Sequence, residues 1–238
     1  MAQYYTIAGL TVEMDSFGKT LARAKTYSCE PVKKADIQIA VNRKDLQLRQ
    51  PQLSEDDCEY LCTGADFYTK LLAFDGMMLH ASALIKDGKA YLFTAPSGTG
   101  KSTHTALWKE AFGETVQMLN DDKPAMRLEN GVWYAYGTPW SGKYDISTNA
   151  RAPIAGIALL ERAADNSVAP VSGKEAIAAI LEQTIRPSDA VLLMKLLKLL
   201  DDLMGQVPIW RLHCNMEPDA AHTAYKTMQK GRVLENEA

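Results

Sequence analysis

Over its first fifty residues the chain alternates apolar and polar positions, with Tyr4, Ile7, Leu10 and Val12, and later Ile37, Ile39 and Val41, marking short runs, the last three at a period of two. Successive strand side chains point to opposite faces, so this spacing predicts several short strands. Residues 51–54 break the pattern. Ser54 followed by Glu55-Asp56-Asp57 is a helix start, with a hydroxyl to cap free amides and acids to meet the positive helix end. Leu61, Phe67, Leu71 and Leu72 then offer a buried stripe, and Asp75-Gly76 closes the helix. Two strands are expected over 77–85 and 89–94, joined by the Asp87-Gly88 hairpin signal.

Helix formers over 103–112 precede further strand runs at 115–119, 125–127, 132–136 and 154–161, with Glu129-Asn130-Gly131 marking a second hairpin. The last third reads as helices at about 173–185 and 189–204, a strand over 209–214, and a helix at about 218–230 before a charged tail. No internal repeat or low-complexity segment is visible. Together these predict an α/β protein with a mixed, antiparallel-rich sheet and flanking helices. A β-rich segment over residues 1–52 packs on a larger domain over 53–238.

Composition narrows the chemistry. The chain has 238 residues, 47% of them hydrophobic, and a net charge of −3. No basic field is available for nucleic acid. The start of the chain lacks a signal-peptide pattern, and the cysteines Cys29, Cys58, Cys62 and Cys214 are scattered, which suits the cytoplasm. Cys58 and Cys62 share a helical face but have no second pair at zinc spacing. The apolar run 191–200 carries two lysines and stops at Asp201-Asp202, too short and charged to span a bilayer.

The most specific motif is Ala95-Pro96-Ser97-Gly98-Thr99-Gly100-Lys101-Ser102, set between the expected strand and helix in the order of a Walker A phosphate loop. Gly98 and Gly100 let the backbone turn its amides toward one point, and the helix adds its positive end. Lys101 would reach the β- and γ-phosphates, and Ser102 would ligate Mg²⁺, with Thr103 completing the nucleotide-binding stretch. Asn120-Asp121-Asp122 ends an apolar strand, the place for a metal-binding carboxylate and a proton acceptor. Neighbouring strand residues point to opposite faces, so the two aspartates are expected to do different work. His80 lies on the strand that pairs with the one entering the loop, beside the phosphate site.

The order Leu79-His80-Ala81-Ser82-Ala83, then the phosphate loop, then Asn120-Asp121-Asp122 resembles the shared core of HPr kinase/phosphorylase and ATP-dependent phosphoenolpyruvate carboxykinase, over roughly residues 76 to 162. The resemblance implies metal, phosphate and proton-transfer roles for His80, Lys101, Ser102, Asp121 and Asp122, with Asp122 at the metal or the acceptor proton. It implies ATP or a related phosphoryl donor, Mg²⁺, and a homo-oligomer such as some HPr kinases form. The chain leaves no room for the separate N-terminal domain of full HPr kinases. In place of their Arg-Gly-rich signature stands Gly137-Thr138-Pro139-Trp140-Ser141-Gly142-Lys143. HPr is therefore not the expected acceptor, and the closer resemblance is to small HPr-kinase-like proteins of modified-peptide biosynthesis.

Ser141, Gly142 and Lys143 are candidates for a loop that closes over nucleotide or acceptor. Arg151 and Arg186 are further phosphate-clamp candidates, whereas His104, His213 and His222 read as structural. The leading expectation is a Mg²⁺-dependent kinase acting on serine in a protein or peptide. A small-molecule kinase or carboxykinase-like enzyme would use the same donor site, and a nucleotide-sensing module would keep the loop without transfer. Neither nucleic acid nor membrane is an expected partner.

Overall fold

The computed structural model describes residues 3–231. Strands β1 (Gln3–Ile7) and β2 (Leu10–Met14) form a hairpin whose turn residues Ala8 and Gly9 both have positive φ, the primed geometry that suits strand twist. The strand β3 (Ile37–Ile39) adds parallel to β2. Alternation holds here, with Leu10, Val12, Met14, Ile37 and Ile39 all buried.

Two helices in this region depart from the all-strand expectation: α1 (Gly18–Ala24) and α2 (Arg43–Arg49). Each has only seven residues, too few to show a helical period. No side chain of its own caps α1. Instead the amide of Phe17 donates to Glu59 Oε1 (2.9 Å), and that of Lys19 to Asp56 Oδ1 (3.2 Å) and Oδ2 (3.1 Å), both acids lying on the long helix α3 (Glu55–Leu71). Ser54 caps α3 itself by accepting from the Asp57 amide. The buried face of α3 is Tyr60, Phe67, Tyr68 and Leu71, and Leu61 is exposed, contrary to the predicted stripe.

The remaining strands form one nine-stranded mixed sheet. The predicted strand over 77–85 is in fact two, β4 (Gly76–Met78) and β5 (Ala81–Lys86). The chain breaks at Leu79-His80, where the His80 amide donates to Gln183 O at 2.7 Å instead of to a neighbouring strand. β5 pairs antiparallel with β6 (Lys89–Thr94) on one side and β7 (Val116–Asn120) on the other, leaving β7 at the sheet edge. β4 joins β8 (Ala125–Glu129), which pairs with β9 (Val132–Tyr136). The twelve-residue β10 (Arg151–Arg162) links the two halves, first antiparallel to β9 and then parallel to β6 and β12 (Ile209–Cys214). A short strand not expected from sequence, β11 (Ser167–Pro170), pairs with β12.

Period two sorts the core. Tyr91 and Phe93 of β6 face α4 (Lys101–Phe112) and α7 (Asp219–Met228), packing with Trp108, Ala224 and Met228. Ala90 and Leu92 face α5 (Gly173–Glu182) and α6 (Ala190–Gln206), packing with Ile180, Leu196 and Leu200. A third cluster joins the N-terminal sheet to α3 and to Ala125, Tyr136 and Trp140. No helix among the described residues is long and apolar enough to cross a membrane. The expected charged tail lies outside the described residues.

Candidate functional site

The sheet order brings three chain segments to one end. β6 and β7 both run antiparallel to β5, so their C-terminal ends meet its start: Ala81 faces Thr94, and Ala83 faces Asn120. The loop over residues 95–102, the aspartate pair and His80 therefore adjoin one another, at the strand ends where α/β sheets place their crevices. Thr94 Oγ1 donates to His80 O at 2.9 Å and ties the loop's entry to the histidine.

In the loop, Gly98 and Gly100 have φ of 80° and 124°, conformations that L side chains rarely adopt, and nothing lies within 4 Å of a Cβ built on either. Among the described residues no acceptor takes the amides of Gly98, Gly100, Lys101 or Ser102. Unpaired amides at a helix start are the raw material of an anion site. Lys101 is buried, and its Nζ donates to Ala95 O at 2.8 Å. Burial lowers its pKa, with the Asp122 charge acting in the opposite sense. Ser97 and Ser102 are exposed.

The aspartate turn is rigid. Asn120 Oδ1 accepts from the amides of Asp122 (2.9 Å) and Lys123 (2.7 Å), and Asn120 Nδ2 donates to Thr138 O (3.0 Å). Its two carboxylates have different surroundings, although both lie in the turn beyond β7 and not on opposite faces of the strand as the sequence predicts. Asp122 Oδ1 lies 3.1 Å from His80 Nε2, and Asp122 Oδ2 pairs with Lys123 Nζ. Burial raises the Asp122 pKa, but the His80 hydrogen bond and the Lys123 charge outweigh it and bring it to about 2. Asp121 is buried and accepts from the Gly142 amide through Oδ1 at 2.5 Å. Burial raises its pKa, the Asp122 charge adds to the rise, and the Gly142 amide opposes it.

Gly142 thus ties the candidate loop to the aspartates, and a Cβ there would stand 3.0 Å from Asp121 Oδ2 and 3.1 Å from Asp122 Cβ. Ser141 is buried, with its hydroxyl donating to Asp145 Oδ1 at 2.7 Å. Lys143 is exposed. Trp140 anchors the loop by stacking on Phe67, with ring centroids 4.7 Å apart, and by donating to Thr63 Oγ1 at 3.2 Å.

Several residues in this constellation carried no sequence signal. Gln183, the C-cap of α5, puts its Oε1 3.0 Å from His80 Nδ1, so that ring is bracketed between Gln183 and Asp122. Arg162, at the end of β10, donates to Gly98 O (2.5 Å) and Thr99 O (2.8 Å), which holds the loop's carbonyls away from its amides. Arg23 of α1 donates to Ser141 O (2.9 Å) and Gly142 O (3.1 Å) and fastens the N-terminal segment to the loop. None belongs to a local motif, and each reaches the site only through the fold.

Other sequence candidates lie elsewhere or are already engaged. Arg151 pairs with Glu129 and donates to Tyr136 Oη (2.9 Å), on the part of β10 that pairs with β9 and not at the loop over residues 95–102. Arg186 is exposed beyond α5. His104 is buried, with Nε2 accepting from Trp108 Nε1 at 3.0 Å, and burial lowers its pKa to about 4. His213 pairs with Glu161 (3.2 Å), and His222 packs edge-on against Phe112. Cys58 is buried and Cys62 half-buried, both as free thiols.

Among the described residues no three His, Cys, Asp or Glu side chains gather as a metal cage. Mg²⁺ does not need one, since it keeps waters and takes one or two protein ligands plus phosphate oxygens. The Ser102 hydroxyl and the ionised Asp122 carboxylate are a donor set of that hard, oxygen-only kind.

No protein-family model matches the chain, and no curated protein matches it in sequence. Among solved structures, the HPr(Ser) kinase/phosphatase from Coxiella burnetii is similar over 64% of this chain and 97% of its own, with 13% identity and a TM-score of 0.35.

Proposed function

We propose that this chain is a nucleoside triphosphate-dependent phosphotransferase that moves a γ-phosphoryl group onto a hydroxyl, with serine in a protein or peptide as the acceptor. The observation that carries the reading is the meeting, at one sheet end, of a loop with unpaired amides and the His80–Asp122 pair at 3.1 Å. A phosphate cradle alone serves binding, whereas transfer needs fixed charge and a proton acceptor beside it.

The residues divide the work. The amides of Gly98, Gly100, Lys101 and Ser102 and the Lys101 ammonium hold the β- and γ-phosphates, with Lys101 exchanging its Ala95 carbonyl for phosphate oxygen. Ser102 and Asp122 would hold Mg²⁺, which supplies charge neutralisation at the phosphates when bound. His80 and Lys123 keep Asp122 ionised for that purpose. Asp121 accepts the proton of the attacking hydroxyl as the acceptor oxygen bonds to phosphorus. The bond from phosphorus to the β,γ-bridging oxygen breaks, and the diphosphate leaves with its electron pair.

Intact-mass detection of transfer from ATP and Mg²⁺ to peptides encoded beside this gene tests the reading. A gain of one phosphate that Lys101→Ala abolishes supports it. Asp121→Asn is expected to remove transfer while leaving nucleotide bound, and Asp122→Asn to weaken both. Full activity in Lys101→Ala, or tight ATP binding with no product from any acceptor, refutes it.

A further inference from the structure

A groove of about 500 Å³ starts at the phosphate loop and runs away from it between α4 and the edge strand β7. Ser102 and Asp121 stand at its inner end. Its walls are largely apolar: Ala106 on the helix, Val116 and Met118 on the strand, and Tyr144 and Ile146 from the loop opposite. Tyr144 is 65% exposed and Ile146 43% exposed, so both are free to meet a ligand in the groove.

Two further features say what that ligand is. β7 has a strand neighbour on one side only, and the segment after Ile146 covers the other side just from Met118 onward, through Thr148 Oγ1 to Met118 O (2.9 Å) and the Thr148 amide to Leu119 O (3.0 Å). Ahead of Thr148 that side of β7 has no strand neighbour, and with the Val116 amide taken by Gly113 O the open edge along the groove runs from the Val116 carbonyl to the Met118 amide. Lys109 is the basic residue lining the groove, and its ammonium has no ion-pair partner among the described residues. It lies seven positions beyond Ser102 on α4, about 10 Å at 1.5 Å per residue. An extended chain covers that distance in about three residues.

We propose that the groove is the acceptor site and takes an extended peptide laid along the open edge of β7. The hydroxyl to be phosphorylated sits at the Asp121 end, apolar side chains lie against Met118, Tyr144 and Ile146, and a carboxylate three residues away pairs with Lys109. Strand addition supplies backbone bonds, and the groove walls supply specificity. The inference rests on the phosphotransferase reading above, but its binding test does not need transfer.

The test uses fluorescein-labelled hexapeptides, Val-Leu-Ser-Val-Leu-Glu and the opposite polarity Glu-Leu-Val-Ser-Leu-Val, with the full chain and no nucleotide. Anisotropy is expected to show that one polarity binds, and that Tyr144→Ala and Lys109→Glu each raise its Kd at least about tenfold. Replacing the peptide's glutamate by lysine is expected to restore binding to Lys109→Glu, while the Kd of a fluorescent ATP analogue stays unchanged in both variants. Failure of both peptides to bind, or of the charge swap to restore binding, overturns the proposal. Weakened binding of the ATP analogue in Tyr144→Ala or Lys109→Glu also overturns it, because the groove would then hold the nucleobase. Peptide binding with the charge swap intact but no Lys101-dependent transfer leaves the groove standing and refutes the phosphotransferase reading alone.

Discussion

Replacing Arg23 by alanine is expected to loosen the candidate loop from 118 residues away in sequence. The Arg23 side chain is only 10% exposed. Its Nη1 donates to Tyr60 Oη and Ser141 O, both at 2.9 Å, and Nη2 donates to Gly142 O at 3.1 Å. Hydrogen bonds from a charged donor are each worth about 1.5–3 kcal/mol net. The ion pair of Nε with Asp145 (3.0 Å) adds little, because that carboxylate is 54% exposed. Ser141 O keeps the Tyr60 hydroxyl as a donor, and Gly142 O can be hydrated, so the three bonds do not sum. A loss of about 3 kcal/mol is expected, which for a chain of this size lowers Tm by about 6–12 °C. Urea unfolding followed by circular dichroism reads the stability. Tryptic cleavage after the exposed Lys143 reads the loop directly, and it should quicken in Arg23→Ala and partly recover in Arg23→Lys. An unchanged urea midpoint together with unchanged cleavage at Lys143 would refute the bracket.

His104 makes stability pH-dependent. Burial holds its folded pKa at about 4 against 6.5 when exposed, so between these values the unfolded chain binds the extra proton and stability falls as pH falls. From pH 7.5 to 4.5 the loss from this group is about 2–3 kcal/mol at about 1.4 kcal/mol per pH unit. His104→Phe should remove that part of the slope in urea titrations at the two pH values, and an identical slope would contradict the assignment. Gly137→Ala would put a Cβ 1.9 Å from Thr148 O and 2.7 Å from Leu119 O, both backbone atoms, whereas Gly173→Ala meets nothing within 4 Å. The first is expected to cost more than about 3 kcal/mol or to yield insoluble protein, and the second to be neutral, in parallel thermal melts. Gln183→Ala frees one side of the His80 ring and should lower the rate of transfer about tenfold while the Kd for ATP stays within about twofold, and a larger change in Kd would show that Gln183 acts on the nucleotide instead.

Local chemistry made much of the molecule legible from its residues alone. The Asp87-Gly88 and Asn130-Gly131 turns adopt the positive φ their residue types favour, and the strands they join are paired as their alternation predicts. Gly98 and Gly100 mark the loop for the same reason, and Ser54 starts α3 by the cap its hydroxyl predicts. These features depend on neighbours a few positions away, which a sequence displays directly. The break at Leu79-His80 does not, because residues 77–85 read as one strand and the partners met at the break, Pro124 O, Gln183 O and Thr94 Oγ1, come from distant segments. Likewise α1 is capped by Asp56 and Glu59, the loop at Ser141-Gly142 is fastened by Arg23, and the carbonyls of Gly98 and Thr99 are held by Arg162. Each is a polar group satisfied by a partner tens of residues distant. The sequence by itself thus determined the main turns, strands and long helices, and it singled out the residues proposed to carry chemistry. The tertiary structure alone decided which of those groups meet, because hydrogen-bond partners and buried charges are settled by packing across the sheet and not by spacing along the chain.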